Sequence, residues 1–193
     1  MITKSLKPLI LSILVLSIII IVAQLFQSDL VFYRGNINAG QWWRLISGNF
    51  VHSNYPHLFM NLAGLWILGF LFIDSFPLKT FLTSILLLSL SVGFGLYFFD
   101  LNLQKYYGFS GILYGLFLVG ASTTIFKKDY FTGISVAIVI IAKIIWDLFN
   151  GGSSSSAELI GIPVAVHAHL YGSLGAIIIS SVLYFLLHRS TPP

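Results

Sequence analysis

Six runs of about 17–20 largely apolar residues constrain this chain more than any other feature, because a helix of about 20 such residues is what spans a bilayer. They fall at approximately 8–26, 57–73, 80–99, 110–126, 131–149 and 169–187. Composition supports this reading. The chain is 57% hydrophobic and 8% charged, whereas a soluble domain carries about 25% charged residues, so too little polar surface remains to face water. The expected fold is an all-α membrane protein in which six transmembrane helices form a single domain over residues 1–193.

The first run follows only two lysines and lacks a small-residue cleavage site, so it is expected to remain as an anchor. With the amino terminus inside, the inner segments hold Lys4, Lys7, Lys79, Lys127, Lys128 and Arg189, and the outer ones Arg34, Arg44 and Lys105. That balance places both termini in the cytoplasm. It also explains the net charge of +4 better than nucleic-acid binding does, since the basic residues are scattered between apolar runs. Cysteine is absent, which excludes a disulfide framework and a thiolate metal site. In the outer segment 27–56, "GQWWRLISGNF" suits a helix lying in the interface. The outer segment 151–167 opens with "GGSSSSAE", a flexible run leading into the last span.

Polar groups at membrane depth are expensive and therefore functional candidates. The second run opens "HLFMN", placing His57 and Asn61 at i, i+4 on one helix face. The fourth opens with Ser110 in "GFSG", with Tyr114 one turn on, and the sixth opens with His169 in "HAHLYGSLGA". With six spans, all three starts share the outer side. A serine becomes a nucleophile when a neutral imidazole can take its proton, and acyl transfer needs donors aimed at the developing oxyanion. Ser110 and His169 are the expected nucleophile and base; His57, Asn61 and the Ser110 N–H are the expected donors. No acidic residue starts these spans, so the expectation is a Ser–His dyad. Gly111 and Gly115 form a G-x-x-x-G, and Gly172, Ser173 and Ala176 line the sixth run; small faces of this kind let two helices approach closely.

Each signal has a plainer reading. G-x-S-G is weak alone and fails the G-x-S-x-G hydrolase elbow at Ile112. Ser110 alone reads as a packing serine, Tyr114 as a packing aromatic, and His52, His167 and His188 as interfacial histidines, with His52 and His167 near the candidate site. Lys143 and Asp147, at i, i+4 in the fifth run, read as a structural ion pair or as a pair shaping substrate access.

Together these residues resemble the rhomboid intramembrane serine proteases. The matching pieces are Trp43-Arg44, His52, "HLFMN", "GFSG" (Gly108 to Gly111), Tyr114 and "AHLYG" with His169 and Gly172. The resemblance implies Ser110 as nucleophile, His169 as base, His57 and Asn61 lining the oxyanion hole, and Tyr114 stacked on His169. It also implies a first loop partly embedded in the membrane around Trp43-Arg44, and a "GGSSSSAE" loop capping the site. The compact six-span size, "KIIWD" and "AELIGIPVAVHAHLYGSLGA" are most similar to the rhombosortase branch. That implies a peptidase cutting carboxy-terminal Gly-Gly-type tags from surface-destined proteins, in a bacterial inner membrane, with its active site opening toward the periplasm. Its partners would be a transmembrane protein substrate and lipid; no cofactor or metal is expected. A general rhomboid protease, a catalytically silent client-binding relative, and a small transporter using Lys143 and Asp147 are the competing readings. The transporter leaves the outer-face cluster unexplained, and no inverted repeat supports it.

Overall fold

The computed structural model describes residues 6–189. Lys4 lies outside the described residues, as do the side chains of Lys7, His188 and Arg189. The chain runs through α1 (Leu6–Gln24), α2 (Gln27–Leu30), β1 (Phe32–Tyr33), α3 (Arg34–Asn38) and α4 (Arg44–Ser47), then a 3-10 turn at Gly48–Phe50. It continues with α5 (Tyr55–Leu71), α6 (Leu78–Phe99), β2 (Lys105–Tyr106), α7 (Ser110–Phe126), α8 (Tyr130–Asn150), α9 (Ser154–Ile160) and α10 (Val166–Arg189). All six expected runs are helical, with ends displaced by three residues or fewer.

Among the described residues, three helices are long and apolar enough to cross a membrane: Leu78–Phe99, Tyr130–Asn150 and Val166–Leu187. Pro8–Gln24, Tyr55–Leu71 and Ser110–Phe126 are shorter apolar helices. Large apolar side chains cover the outside of α1, α8 and α10, among them Ile18, Ile138, Val139, Ile177 and Ile178. The inside is a phenylalanine- and leucine-rich core in which Ile13, Leu65, Phe72, Phe81, Leu88, Ile112 and Leu116 are buried. α7 runs through its centre, packed against α5, α6, α8 and α10.

The architecture is helical as expected, with one short strand pair added in the loops. β1 pairs antiparallel with β2, Phe32 opposite Tyr106 and Tyr33 opposite Lys105, which ties the first outer loop to the segment just before α7. The loop is pinned by two arginines. Arg34 donates to the carbonyls of Leu96, Tyr97, Asp100 and Leu103, at the end of α6 and just beyond it.

Arg44 is buried and donates to the Gln41 side chain and to the carbonyls of Ser28 and Val31. The stretch "GQWWRLISGNF" forms α4 and a 3-10 turn. Trp42 and Trp43 do stay on the surface. The expected flexible run "GGSSSSAE" is likewise half helical. The Ser153 hydroxyl accepts from the Ser156 N–H at 3.4 Å and caps α9.

Candidate active site

Ser110 is the first residue of α7, and His169 lies one turn into α10. His169 Nε2 is 3.0 Å from Ser110 Oγ, a hydrogen-bond distance at which an imidazole can withdraw a hydroxyl proton. Glycines make the approach possible. A Cβ on Gly111 would lie 2.8 Å from the Ala168 carbonyl oxygen, and one on Gly115 2.7 Å from that of Gly172. Any side chain there would push α10 away and take His169 with it. α10 is held on its other side by Ser91, whose hydroxyl donates to the Tyr171 carbonyl at 2.7 Å.

The Tyr114 ring stacks on His169, with centroids 4.1 Å apart and planes 5° apart. Its hydroxyl donates to Asp147 Oδ2 at 3.2 Å. Asp147 is fully buried and ion-paired with Lys143 through Oδ1. The same carboxylate reaches His169: Oδ2 is 3.4 Å from Nδ1. That contact lacks the alignment of a formed hydrogen bond, since Nδ1 is buried with no bonded partner. The i, i+4 pair therefore belongs to the same cluster as Ser110 and His169, which reading the starts of helices did not show.

On the facing side, Asn54 caps α5 by accepting from the His57 N–H at 2.9 Å, with Pro56 in the first turn. This cap sets His57 at the helix end, and Asn61 Nδ2 donates to the His57 carbonyl at 3.2 Å. Both side chains face Gly108. That glycine has φ +121°, and a Cβ on it would strike the His57 ring at 2.8 Å. Ser53 Oγ donates to the Ile160 carbonyl at 2.6 Å and lies 3.1 Å from His57 Nδ1. A hydroxyl has one proton to give, so His57 Nδ1 is the donor to Ser53 in this arrangement.

Behind them His52 is buried, its ring 5.0 Å from that of His57, and its Nε2 accepts from the Phe109 N–H at 3.4 Å. Burial, with His57 adding repulsion, pushes the His52 imidazole down to about 3. Sequence reasoning missed Ser53 and Tyr106. Tyr106 is buried beside Ser110 and Gly111, donates to the Gly108 carbonyl at 2.6 Å, and has its phenol pushed up by burial. Neither residue carries a motif signal; strand pairing and the cap of α5 bring them in.

A cavity of about 740 Å³ joins the two sides. Ser110, His169, His57, Asn61, Tyr114 and Lys143 line its polar end, and Met60, Gly64, Leu113, Phe117 and Ile140 its apolar floor. The segment from Ser153 to Ala165, α9 included, contributes several further lining residues. α9 is tethered to the start of α5 by the Ser53 bond and by Asn54 Nδ2, which donates to the Leu159 carbonyl at 3.0 Å. Trp43 and Arg44 do not line this cavity: Trp43 is exposed, and Arg44 is a structural pin. His167 is also outside it, paired with Asp100 at 2.6 Å beside a separate cavity of about 520 Å³. Among the described residues, no group of three or more His, Asp or Glu side chains could hold a metal ion.

A family model described as Rhomboid domain matches residues 39–185, a span that includes every side chain facing the cavity. Comparison with curated proteins gave no match.

Proposed function

This chain belongs to the rhomboid family, whose members are generally intramembrane serine proteases, and on that premise we propose that it is an intramembrane serine endopeptidase cleaving transmembrane protein substrates. The observation that carries the reading is the 3.0 Å contact between Ser110 Oγ and His169 Nε2 at the polar end of a deep cavity. In the first step Ser110 Oγ attacks the scissile carbonyl carbon and its proton passes to His169 Nε2. The tetrahedral oxyanion takes hydrogen bonds from Asn61 Nδ2 and the Ser110 N–H, which the start of α7 leaves without an intrahelical partner. His57 Nε2 joins them as a donor in the tautomer that carries the ring proton on Nε2 instead of Nδ1, with the Ser53 hydroxyl turned from Ile160 to donate to the bare Nδ1. Collapse breaks the C–N bond, the leaving amine takes the proton from His169, and an acyl-Ser110 ester remains. Water or another nucleophile, activated by the same imidazole, then releases the product.

The six-span arrangement rests on the six apolar runs, the cytoplasmic termini and outward-opening cavity rest on the charge balance of the loops, and all belong to this reading. So does action as a single domain in a bacterial inner membrane. The finer assignment is the rhombosortase branch, with carboxy-terminal Gly-Gly-type tags as substrates. Its support is that "KIIWD" carries Lys143 and Asp147 to the cluster, while "AELIGIPVAVHAHLYGSLGA" carries both the end of the cap and His169.

Purified protein in proteoliposomes, given a single-span substrate and a Gly-Gly-tagged one, tests both levels by product mass. Cleavage by wild type that is lost in Ser110→Ala and in His169→Ala is expected. Cleavage that persists in Ser110→Ala contradicts the protease mechanism. An intact Gly-Gly tag beside a cleaved generic substrate contradicts only the branch.

A further inference from the structure

His169 addresses Ser110 with Nε2 and turns Nδ1 toward Asp147, 3.4 Å from Oδ2. An ordinary i, i+4 ion pair on a helix surface would leave Asp147 beside Lys143 and partly wet. Here the carboxylate is fully buried while the Lys143 side chain remains 44% exposed. Burying a carboxylate is unfavourable unless its lone pairs are used. Oδ1 is used by Lys143 and Oδ2 by the Tyr114 hydroxyl, and the remaining capacity of Oδ2 faces an imidazole nitrogen that has no other partner. Tyr114 adds a second constraint, since its ring lies flat on His169 while its hydroxyl holds Asp147.

We propose that Asp147 is the positioning residue for His169, so that the site operates as a Ser110–His169–Asp147 triad held in place by Tyr114 and Lys143. The proposal rests on the serine protease reading above.

For Nε2 to accept the Ser110 proton, the neutral ring must carry its own proton on Nδ1, and a carboxylate beside Nδ1 selects that tautomer. When the Ser110 proton moves to Nε2, the ring becomes an imidazolium, and the ionised Asp147 stabilises it without taking a proton. The 3.4 Å distance shortens when substrate fills the cavity, as hydrogen bonds in unliganded active sites commonly do. Asp147 touches neither Ser110 nor the substrate cavity, so it acts through His169.

The test uses the full-length protein in proteoliposomes and reads two rates, labelling by a fluorophosphonate and cleavage of a single-span substrate. Asp147→Asn is expected to lower both the labelling rate and kcat by about 100-fold, with KM within about twofold of wild type. Asp147→Glu is expected to recover most of that loss. The double variant Lys143→Met/Asp147→Asn leaves no unpaired charge, so it separates the two roles of the carboxylate. If Asp147 serves only as the counter-ion of Lys143, the double variant works at the wild-type rate, and that result overturns the proposal.

A second measurement reads the wild-type site directly. Nitrogen-15 spectra of histidine-labelled wild type, with His169 assigned by its loss in His169→Gln, are expected to show the Nδ1–H tautomer. The Nε2–H tautomer overturns the proposal. A wild type that neither labels nor cleaves removes the protease reading and this proposal with it. A wild type that labels at Ser110 while Asp147→Asn labels equally fast removes the proposal alone.

Discussion

A Cβ placed on Gly172 would lie 1.9 Å from the Gly111 carbonyl oxygen, so α7 and α10 meet backbone to backbone beside the Ser110–His169 contact. Lipid offers helices no hydrophobic drive to associate, and close approach of small residues supplies the dispersion contacts in its place. Gly172→Ala is therefore expected to separate the helices, at a cost of about 1–3 kcal/mol as for other overpacked sites. Thermal unfolding should show the loss, and fluorophosphonate labelling should slow at least about tenfold in the protein that stays folded. Equal labelling rates in the two proteins would show that the seam does not set the Ser110–His169 distance.

Gly108 combines a left-handed backbone with a side-chain clash against His57. Gly108→Ala adds strain of about 1–3 kcal/mol and displaces the ring expected to assist the oxyanion. Substrate binding at the apolar floor of the cavity is remote from this change. The expected outcome is a kcat lowered about tenfold or more with KM nearly constant. A raised KM with unchanged kcat would place Gly108 in substrate binding instead.

His52 gives a pH dependence whose sign can be worked out. Its imidazole is held down at about 3 in the fold, against about 6.5 when exposed. Between those values the unfolded chain binds a proton that the folded chain does not, so stability falls as pH falls through this window. The slope approaches about 1.4 kcal/mol per pH unit. Above about pH 6.5 the His52 contribution is fully present. His52→Asn should be less stable than wild type near neutrality, and the gap in melting temperature should close as pH is lowered from 6.5 toward 4. A gap that stays constant across that range would contradict the buried neutral imidazole.

Arg44 donates to Gln41 and to two loop carbonyls but lies away from the cavity. Arg44→Ala should lower stability by about 2–3 kcal/mol, the scale of charged hydrogen bonds lost from a buried site, and leave kcat per folded molecule unchanged. A fall in kcat with an unchanged melting temperature would return Arg44 to the reaction.

The sequence made the helices legible because apolar length is a strong signal, and helix starts on one side of a bilayer predicted the meeting of Ser110, His169, His57 and Asn61. Two kinds of information were not legible there. Asp147 is near the end of α8, not its start, and α8 runs antiparallel to α7, so its last turns lie level with the first turns of α5, α7 and α10. Reading only the helix starts for acidic residues therefore did not place Asp147 beside His169. Ser53 and Tyr106 sit in connecting segments whose placement depends on the Asn54 cap and on the pairing of Phe32 with Tyr106. These are tertiary contacts with no local periodicity to reveal them. In the "WWR" segment the exposed aromatics were legible, but the inward partners of Arg44 were not.

Peptide mapping by mass spectrometry of the fluorophosphonate-treated wild type tests the central claim most directly. Every step of the mechanism begins at Ser110 Oγ, so the adduct should be found on Ser110 and be absent from Ser110→Ala and from His169→Ala. An adduct on any other residue, or labelling of Ser110→Ala at the wild-type rate, would contradict the account.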